Sequence, residues 1–305
     1  MASTVGGSVG RPLTAGAIAL MLLCCFSWGF NQIAVKLVLP EIPPFTQAAI
    51  RSAAGLLVLL IIAWARGVRL FQRDGTLKAG LFAGLLFGLE FVLIYYGLTL
   101  TTASRGVVFL YVAPFVVALG AYHFLGERLR AIQWAGLALS FAGVAAAIGV
   151  PQPNVDAKVL LGDLMLVGGG ALWGATTLIV KASPLQRAPA EKGLAYQVAI
   201  SIPILAFAAL VSGETIDKVP SPLSLALMAY QSIWVVGLTF LLWFSLVMTY
   251  SASKLSAFTF FTPLFGVAAG YLILHEPLTP AFGFAALLVM AGLYLVNRPG
   301  RVAAV

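Results

Sequence analysis

SWGFNQIAVK at residues 27–36 and LWGATTLIVK at residues 172–181 are two versions of one segment, 145 residues apart. Each sets a Trp-Gly pair in an apolar run, polar side chains three and four positions past the Trp, and a Lys where the run ends. A longer match follows at an offset of 149: ASRGVVFLYVAP (103–114) pairs with ASKLSAFTFFTP (252–263). At that offset Pro114 matches Pro263, Glu127 in GERL matches Glu276 in HEPL, Gly88 matches Gly237 and Gly143 matches Gly292. Matches kept in order across two halves mark a duplication.

The duplicated unit is built for lipid. Of 305 residues, 61% are hydrophobic and 9% charged, against about a quarter charged in an ordinary soluble domain. About 20 mostly apolar residues cross a bilayer as a helix. Spans by this rule fall near 14–36, 44–65, 78–101, 106–125, 131–150, 160–181, 193–212, 224–250, 256–274 and 280–297. The stretch 219–253 is the hardest to divide, being long enough for one generous helix with tails. Breaker residues punctuate the connectors, as in LPEIPP (39–44), PQPNVD (151–156) and KVPSP (218–222). The first run continues to Val35 and no A-x-A cleavage site follows its apolar core, so it reads as a retained helix and not a signal peptide.

Orientation follows from Lys and Arg. With the N-terminus cytoplasmic, the inner side holds Arg11, Arg66, Arg69, Arg73, Lys78, Arg128, Arg130, Lys181, Arg187, Lys192, Lys254, Arg298 and Arg301. The outer side holds Lys36, Arg105, Lys158 and Lys218. Both termini are therefore expected inside. The net charge of +8 belongs to this pattern, so no nucleic-acid partner is expected. Cys24 and Cys25 are adjacent, point in different directions on a helix, and read as packing residues.

Five spans per copy is an odd number, so the second copy enters the membrane from the opposite side. The expected fold is all-α and integral to the membrane: ten transmembrane helices in two inverted five-helix repeats. A tail (1–13), the first repeat (14–150), a connecting loop (151–159), the second repeat (160–297) and a short tail (298–305) make up the chain. Inverted repeats place a binding site near the midplane where the copies meet, and rocking of one against the other gives alternating access.

These features resemble the drug/metabolite transporter superfamily in its ten-helix EamA-type branch. The resemblance spans roughly 14–297. It is carried by the SWG and LWG segments, the in-span Arg51, TTAS (101–104) and YSAS (250–253), Pro114 and Pro263, and the GERL and HEPL ends. His275 stands where the first copy has Gly126, so the two ends differ. The aromatic-rich spans are most similar to YddG-type exporters of aromatic amino acids. The resemblance implies an inner-membrane, multi-pass exporter of small metabolites, neutral or aromatic amino acids foremost. Exporters of cationic or lipophilic drugs are the alternative. Its partners would be a small-molecule substrate, the lipid bilayer and possible homodimer contacts, without cofactor or metal.

On a helix, positions i, i+3 and i+4 share a face. Trp28, Asn31 and Gln32 therefore point together, as do Trp173, Thr176 and Thr177, and these six are the core of the expected pocket. Tyr95, Tyr96, Tyr196, Gln197, Tyr230, Trp234 and Trp243 are further candidates for its lining, although Trp and Tyr also populate membrane interfaces. Glu90 is the one carboxylate deep in a span, a candidate for a substrate ammonium or a coupling proton. Its other reading is an ion pair with Arg51, about seven residues into the second helix. Arg105 and Lys254 occupy matching helix starts, where a cation would add to the anion preference of a helix N-terminus. Pro114 and Pro263 are expected mid-helix, each removing a backbone bond and permitting a kink. Gly80, Gly84 and Gly88 read as a packing stripe, and Glu127 and Glu276 as local hydrogen-bond anchors.

No HExxH and no GxSxG lies inside the spans, and His123 and His275 sit at helix ends, so an intramembrane enzyme is not expected. A channel would need a filter-like loop or rings of charge.

Overall fold

The computed structural model describes residues 13–101, 109–148, 156–274 and 280–298. Every regular element among them is helical. In chain order they are α1 (Ala15–Val38), α2 (Pro44–Ala65), α3 (Leu77–Leu100), α4 (Ala113–Gly120, running on through a π-turn at Ala121–Leu125), α5 (Ala131–Ile148) and α6 (Ala157–Ala182). They continue as α7 (Ala190–Val211), α8 (Pro222–Thr249), α9 (Ala252–Ala257, a 3-10 turn at Phe258–Phe260, then Phe261–Leu274) and α10 (Pro280–Asn297). Seven of these are long and apolar enough to cross a membrane: α1, α2, α3, α6, α7, α8 and α9. Shorter apolar helices lie at Ala113–Leu125, Ala131–Ala146 and Ala286–Asn297.

Local chemistry sets the helix starts. Thr14 Oγ1 accepts from the Ala17 N–H at 3.2 Å, Asp156 from Lys158 N–H at 3.0 Å, and Ser221 from Ser224 N–H at 3.2 Å. Pro44 and Pro222 occupy first-turn positions, where a missing N–H loses nothing. Carboxylates distant in sequence finish other starts. Glu214 accepts from Phe45 N–H and Thr46 N–H at the head of α2, and Glu41 from Ser221 N–H before α8. Glu127 accepts from Ser251 Oγ, Ala252 N–H and Ser253 N–H at the head of α9, so it anchors a segment distant in sequence and not the local bonds expected of it. Gly126, at φ 67°, ends the π-turn in the left-handed region that glycine adopts freely.

Within the long stretch 219–253 a single helix runs over Pro222–Thr249, with a π-segment at Tyr230–Thr239 that widens its middle turns. Pro114 is not mid-helix. It lies in the first turn of α4, after a turn at Tyr111–Val112, so it removes no helical bond there. Pro263 lies just past the 3-10 turn of α9. With no N–H to offer Thr259 O, it accompanies an interruption and not a smooth kink.

Packing relates the two halves. α3 packs on α6 and α7, α8 on α1 and α2, α1 on α9, α4 on α6, α2 on α7 and α5 on α10. The glycine stripe of α3 receives α7: an added Cβ would meet Tyr196 at Gly80, Ile200 at Gly84 and Ile204 at Gly88. The contacts advance together, so α3 and α7 run parallel. By contrast α2 and α7 run antiparallel. The start of α2 is capped by Glu214 beyond the end of α7, while Arg66 at the end of α2 pairs at 2.9 Å with Glu191 at the start of α7. Between α5 and α10, Ser140 Oγ faces Val289 O at 3.4 Å, with a sequence separation of 149. That separation is the repeat offset, so at this crossing point Ser140 meets its own counterpart.

The α2–α3 connection is tied down by Lys192 Nζ, which reaches Gln72 O at 2.6 Å and Asp74 Oδ2 at 2.8 Å. Hydrogen bonding to Lys192 and then to Thr76 brings the Asp74 carboxyl down to about 2. A carboxyl lowered in the folded state stabilises it above its unfolded value, about 3.9, and loses that contribution as pH falls. Asp74→Asn is accordingly expected to melt below the parent at neutral pH. The gap should narrow as pH drops from about 5 towards 2. Paired thermal melts in lipid nanodiscs across that range measure it, and a pH-independent gap would discard the assignment.

Candidate functional site

One cavity of about 100 Å³ lies where α1, α2, α3, α6, α7 and α8 converge. All six residues of the two matched faces line it: Trp28, Asn31 and Gln32 from α1, and Trp173, Thr176 and Thr177 from α6. Matched positions recur around the wall. At offset 145 Val35 answers Val180, and at offset 149 Phe91 answers Phe240, Ile94 answers Trp243, Tyr95 answers Phe244 and Leu98 answers Val247. Arg51 and Gln197, at an offset of 146 on α2 and α7, also both line it.

Three indoles make one wall. Trp28, Trp173 and Trp243 meet pairwise with ring centroids 5.7 to 6.1 Å apart, two of the pairs edge to face. Trp28 Nε1–H donates to Thr239 Oγ1 at 2.9 Å, and that hydroxyl donates to Val235 O within the π-segment. Tyr111 extends the wall through an edge contact with Trp173 at 5.9 Å. The hydroxyls of Thr176 and Thr177 donate to Leu172 O and Trp173 O one turn back, leaving their lone pairs to the cavity.

The polar side chains are few and incompletely paired. Arg51 is 1% exposed, Gln197 1%, Glu90 5% and Asn31 8%. Arg51 Nε and Nη2, Gln197 Nε2, Glu90 Oε2 and Asn31 Oδ1 have no hydrogen-bond partner. Buried polar atoms in native structures nearly always have one. The alternative Arg51–Glu90 ion pair is not formed: ion pairs among the described residues join Arg66 to Glu191 and Lys192 to Asp74. The Arg51 guanidinium instead lies over the Phe91 ring, 4.2 Å from its centroid, and 5.4 Å from that of Tyr95.

Several other candidates lie elsewhere. Tyr96 is exposed and stacks on Phe45 at 6.0 Å. Tyr196 packs on Gly80, with its hydroxyl 3.4 Å from Thr76 Oγ1. Tyr230 and Trp234 face a separate lateral groove, donating to Ser27 O at 2.8 Å and Ser27 Oγ at 2.9 Å. Lys254 lies in the first turn of α9, its N–H directed at Ser251 Oγ, and does not line the cavity. Arg105, His275 and Glu276 lie outside the described residues. Sequence reasoning passed over Phe87, Phe91, Tyr111, Phe240 and Phe244, all of which line the cavity. The 149-residue offset was their signal, since it pairs Phe91 with Phe240 and Tyr95 with Phe244.

The sequence profile of the EamA-like transporter family matches residues 15–149 and again residues 160–298. The chain belongs to the EamA-like transporter family. Like its relatives, this EamA-like chain is a multi-pass membrane transporter, and the family indicates transport and not enzymatic chemistry. It is 26% identical over 289 residues to "Uncharacterized transporter YoaV" of Bacillus subtilis, covering 92% of this chain and 94% of the relative. It is 29% identical over 293 residues to a protein of Escherichia coli named "Probable amino-acid metabolite efflux pump", covering 90% and 93%. A solved crystal structure shares the fold, with a TM-score of 0.76 at 19% identity over 93% of this chain and 96% of that one.

Proposed function

We infer that this EamA-like protein exports small zwitterionic metabolites, neutral or aromatic amino acids foremost, across the inner membrane by alternating access. One observation carries the reading. Among the described cavity-lining residues Arg51 is the one cation and Glu90 the one carboxylate, both lack a partner for buried atoms, and aromatic rings surround them. A molecule with a carboxylate, an ammonium and an apolar side chain supplies what each wall lacks. Phosphorylated sugars and nucleotides carry excess negative charge, and a single Arg does not balance it. Trp28, Asn31, Gln32, Trp173, Thr176, Thr177, Tyr95, Gln197 and Trp243 are the proposed contacts alongside Arg51 and Glu90.

The alternating-access step rests on ten spanning helices in two inverted repeats with both termini cytoplasmic. Support comes from the antiparallel run of the matched helices α2 and α7 and from Ser140 meeting Val289. Two arrangements related by exchanging the halves then open the cavity to opposite sides.

Uptake of radiolabelled Phe, Trp, Thr, Met, Ala, Lys and Glu into proteoliposomes, with and without a pH gradient, tests this. Saturable uptake and counterflow of the neutral and aromatic members are expected. Transport of cationic dyes with no amino acid moved would replace this reading with drug export.

A further inference from the structure

The two unpartnered nitrogens of Arg51 are not an arbitrary pair. Nε–H and the adjacent Nη2–H form one edge of the planar guanidinium, with two parallel donors spaced to match the oxygens of a carboxylate. The central carbon of the same group lies over the Phe91 ring, 4.2 Å from its centroid, and 5.4 Å from that of Tyr95. Attraction to those rings holds the guanidinium in place. Arg51 is 1% exposed, so water does not serve as a general partner, and the residue lines the cavity. Gln197 Nε2, on the matched position of α7, adds a third unpartnered donor.

We propose that Arg51, held by Phe91 and assisted by Gln197, is a bidentate fork that reads the carboxylate of the cargo, and that cargo lacking a carboxylate is rejected. The assignment deepens the amino-acid reading and rests on it for the remainder of the ligand. It moves Arg51 from internal pairing to direct recognition. A structural arginine would have its edge satisfied by the protein; this one lies over an aromatic ring while two donors of one edge have no partner. Lysine keeps the charge at this position but has neither the fork nor the flat face to lie on Phe91.

Counterflow of labelled L-phenylalanine in proteoliposomes holding the full chain tests the fork. With the parent protein, unlabelled L-phenylalanine is expected to compete, whereas L-phenylalaninamide and phenylethylamine, which lack the carboxylate, compete at least about tenfold more weakly. Arg51→Lys is expected to raise the KM for L-phenylalanine about 10- to 100-fold while the protein stays folded. Equal competition by the acid and its amide overturns the fork with no variant needed, so a misfolded Arg51→Lys does not obscure the result. An unchanged KM in a folded Arg51→Lys also overturns it while leaving amino-acid export standing. If the parent moves no amino acid, that wider reading fails. The fork is then judged by 3-phenylpropanoate raising the melting temperature of the parent in nanodiscs. A shift absent in Arg51→Lys upholds it, and no shift in the parent overturns it.

Discussion

Gly292→Leu is expected to collapse the yield of monodisperse protein and to lower its stability by about 3 kcal/mol, the upper end for overpacking. A Cβ on Gly292 would stand 2.5 Å from Gly136 O and 2.7 Å from Ser140 N, both backbone atoms of α5. Backbone atoms do not turn aside as a side-chain tip does, so the helices must separate. They would part at the seam where α5 and α10 meet antiparallel, with Val289, Leu293 and Val296 buried around it. Small residues permit such close approach in lipid, where association relies on packing and not on water exclusion. Gly283→Leu, on the same helix, is the control, because nothing lies within 4 Å of its Cβ position. Fluorescence-detected size exclusion with a thermal ramp compares the two. Matching profiles for Gly292→Leu and Gly283→Leu would remove the close-packed seam from the account.

Trp28→Ala is expected to abolish saturable transport and to destabilise the protein by about 3–5 kcal/mol, the range for deleting a large buried aromatic. The indole touches Trp173, Trp243 and Phe240 edge to face and donates to Thr239, so its removal opens one wall of the cavity to the next. Trp28→Phe keeps much of the ring contact and loses the N–H donor, a loss of about 1 kcal/mol. Trp64, 83% exposed on the outer face of α2, provides the contrast. Trp64→Ala should leave both melting and counterflow near the parent. Counterflow rates and thermal melts on the three variants make the measurement, and a Trp28→Ala protein as stable and active as Trp64→Ala would sink the assignment.

The two stretches that match the family, 15–149 and 160–298, were legible because Trp-Gly pairs, prolines and small residues stay in order at fixed offsets. The six-residue face was equally accessible, since spacing at i, i+3 and i+4 survives in regular α-helix. Tyr230 and Trp234 escaped correct placement for the opposite reason. They lie in the π-segment of α8, where wider turns rotate the helix face relative to a regular repeat. Tyr96 and Tyr196 sit on helices that are apolar nearly all round, so periodicity gave no inward direction. Pro114 was misjudged because a proline looks the same in a first turn as in a mid-helix position. The depths of Arg51 and Glu90 were legible from span positions; their failure to pair was not, because it depends on Phe91 and Tyr95 holding the guanidinium.

The unequal matched positions have one more consequence. A cavity on a two-fold axis between identical halves would accept a ligand in two mirrored directions of entry with equal energy. Here Arg51 answers Gln197 and Glu90 answers Thr239, so the halves no longer offer the same groups. An amino acid bound as proposed, with its acid end at α2, its amine end at α3 and its side chain at the indoles, would be held at three unlike points. Three unlike points distinguish left hand from right, so under that proposal the divergence that ended the symmetry of the halves would give the protein a means of choosing one enantiomer.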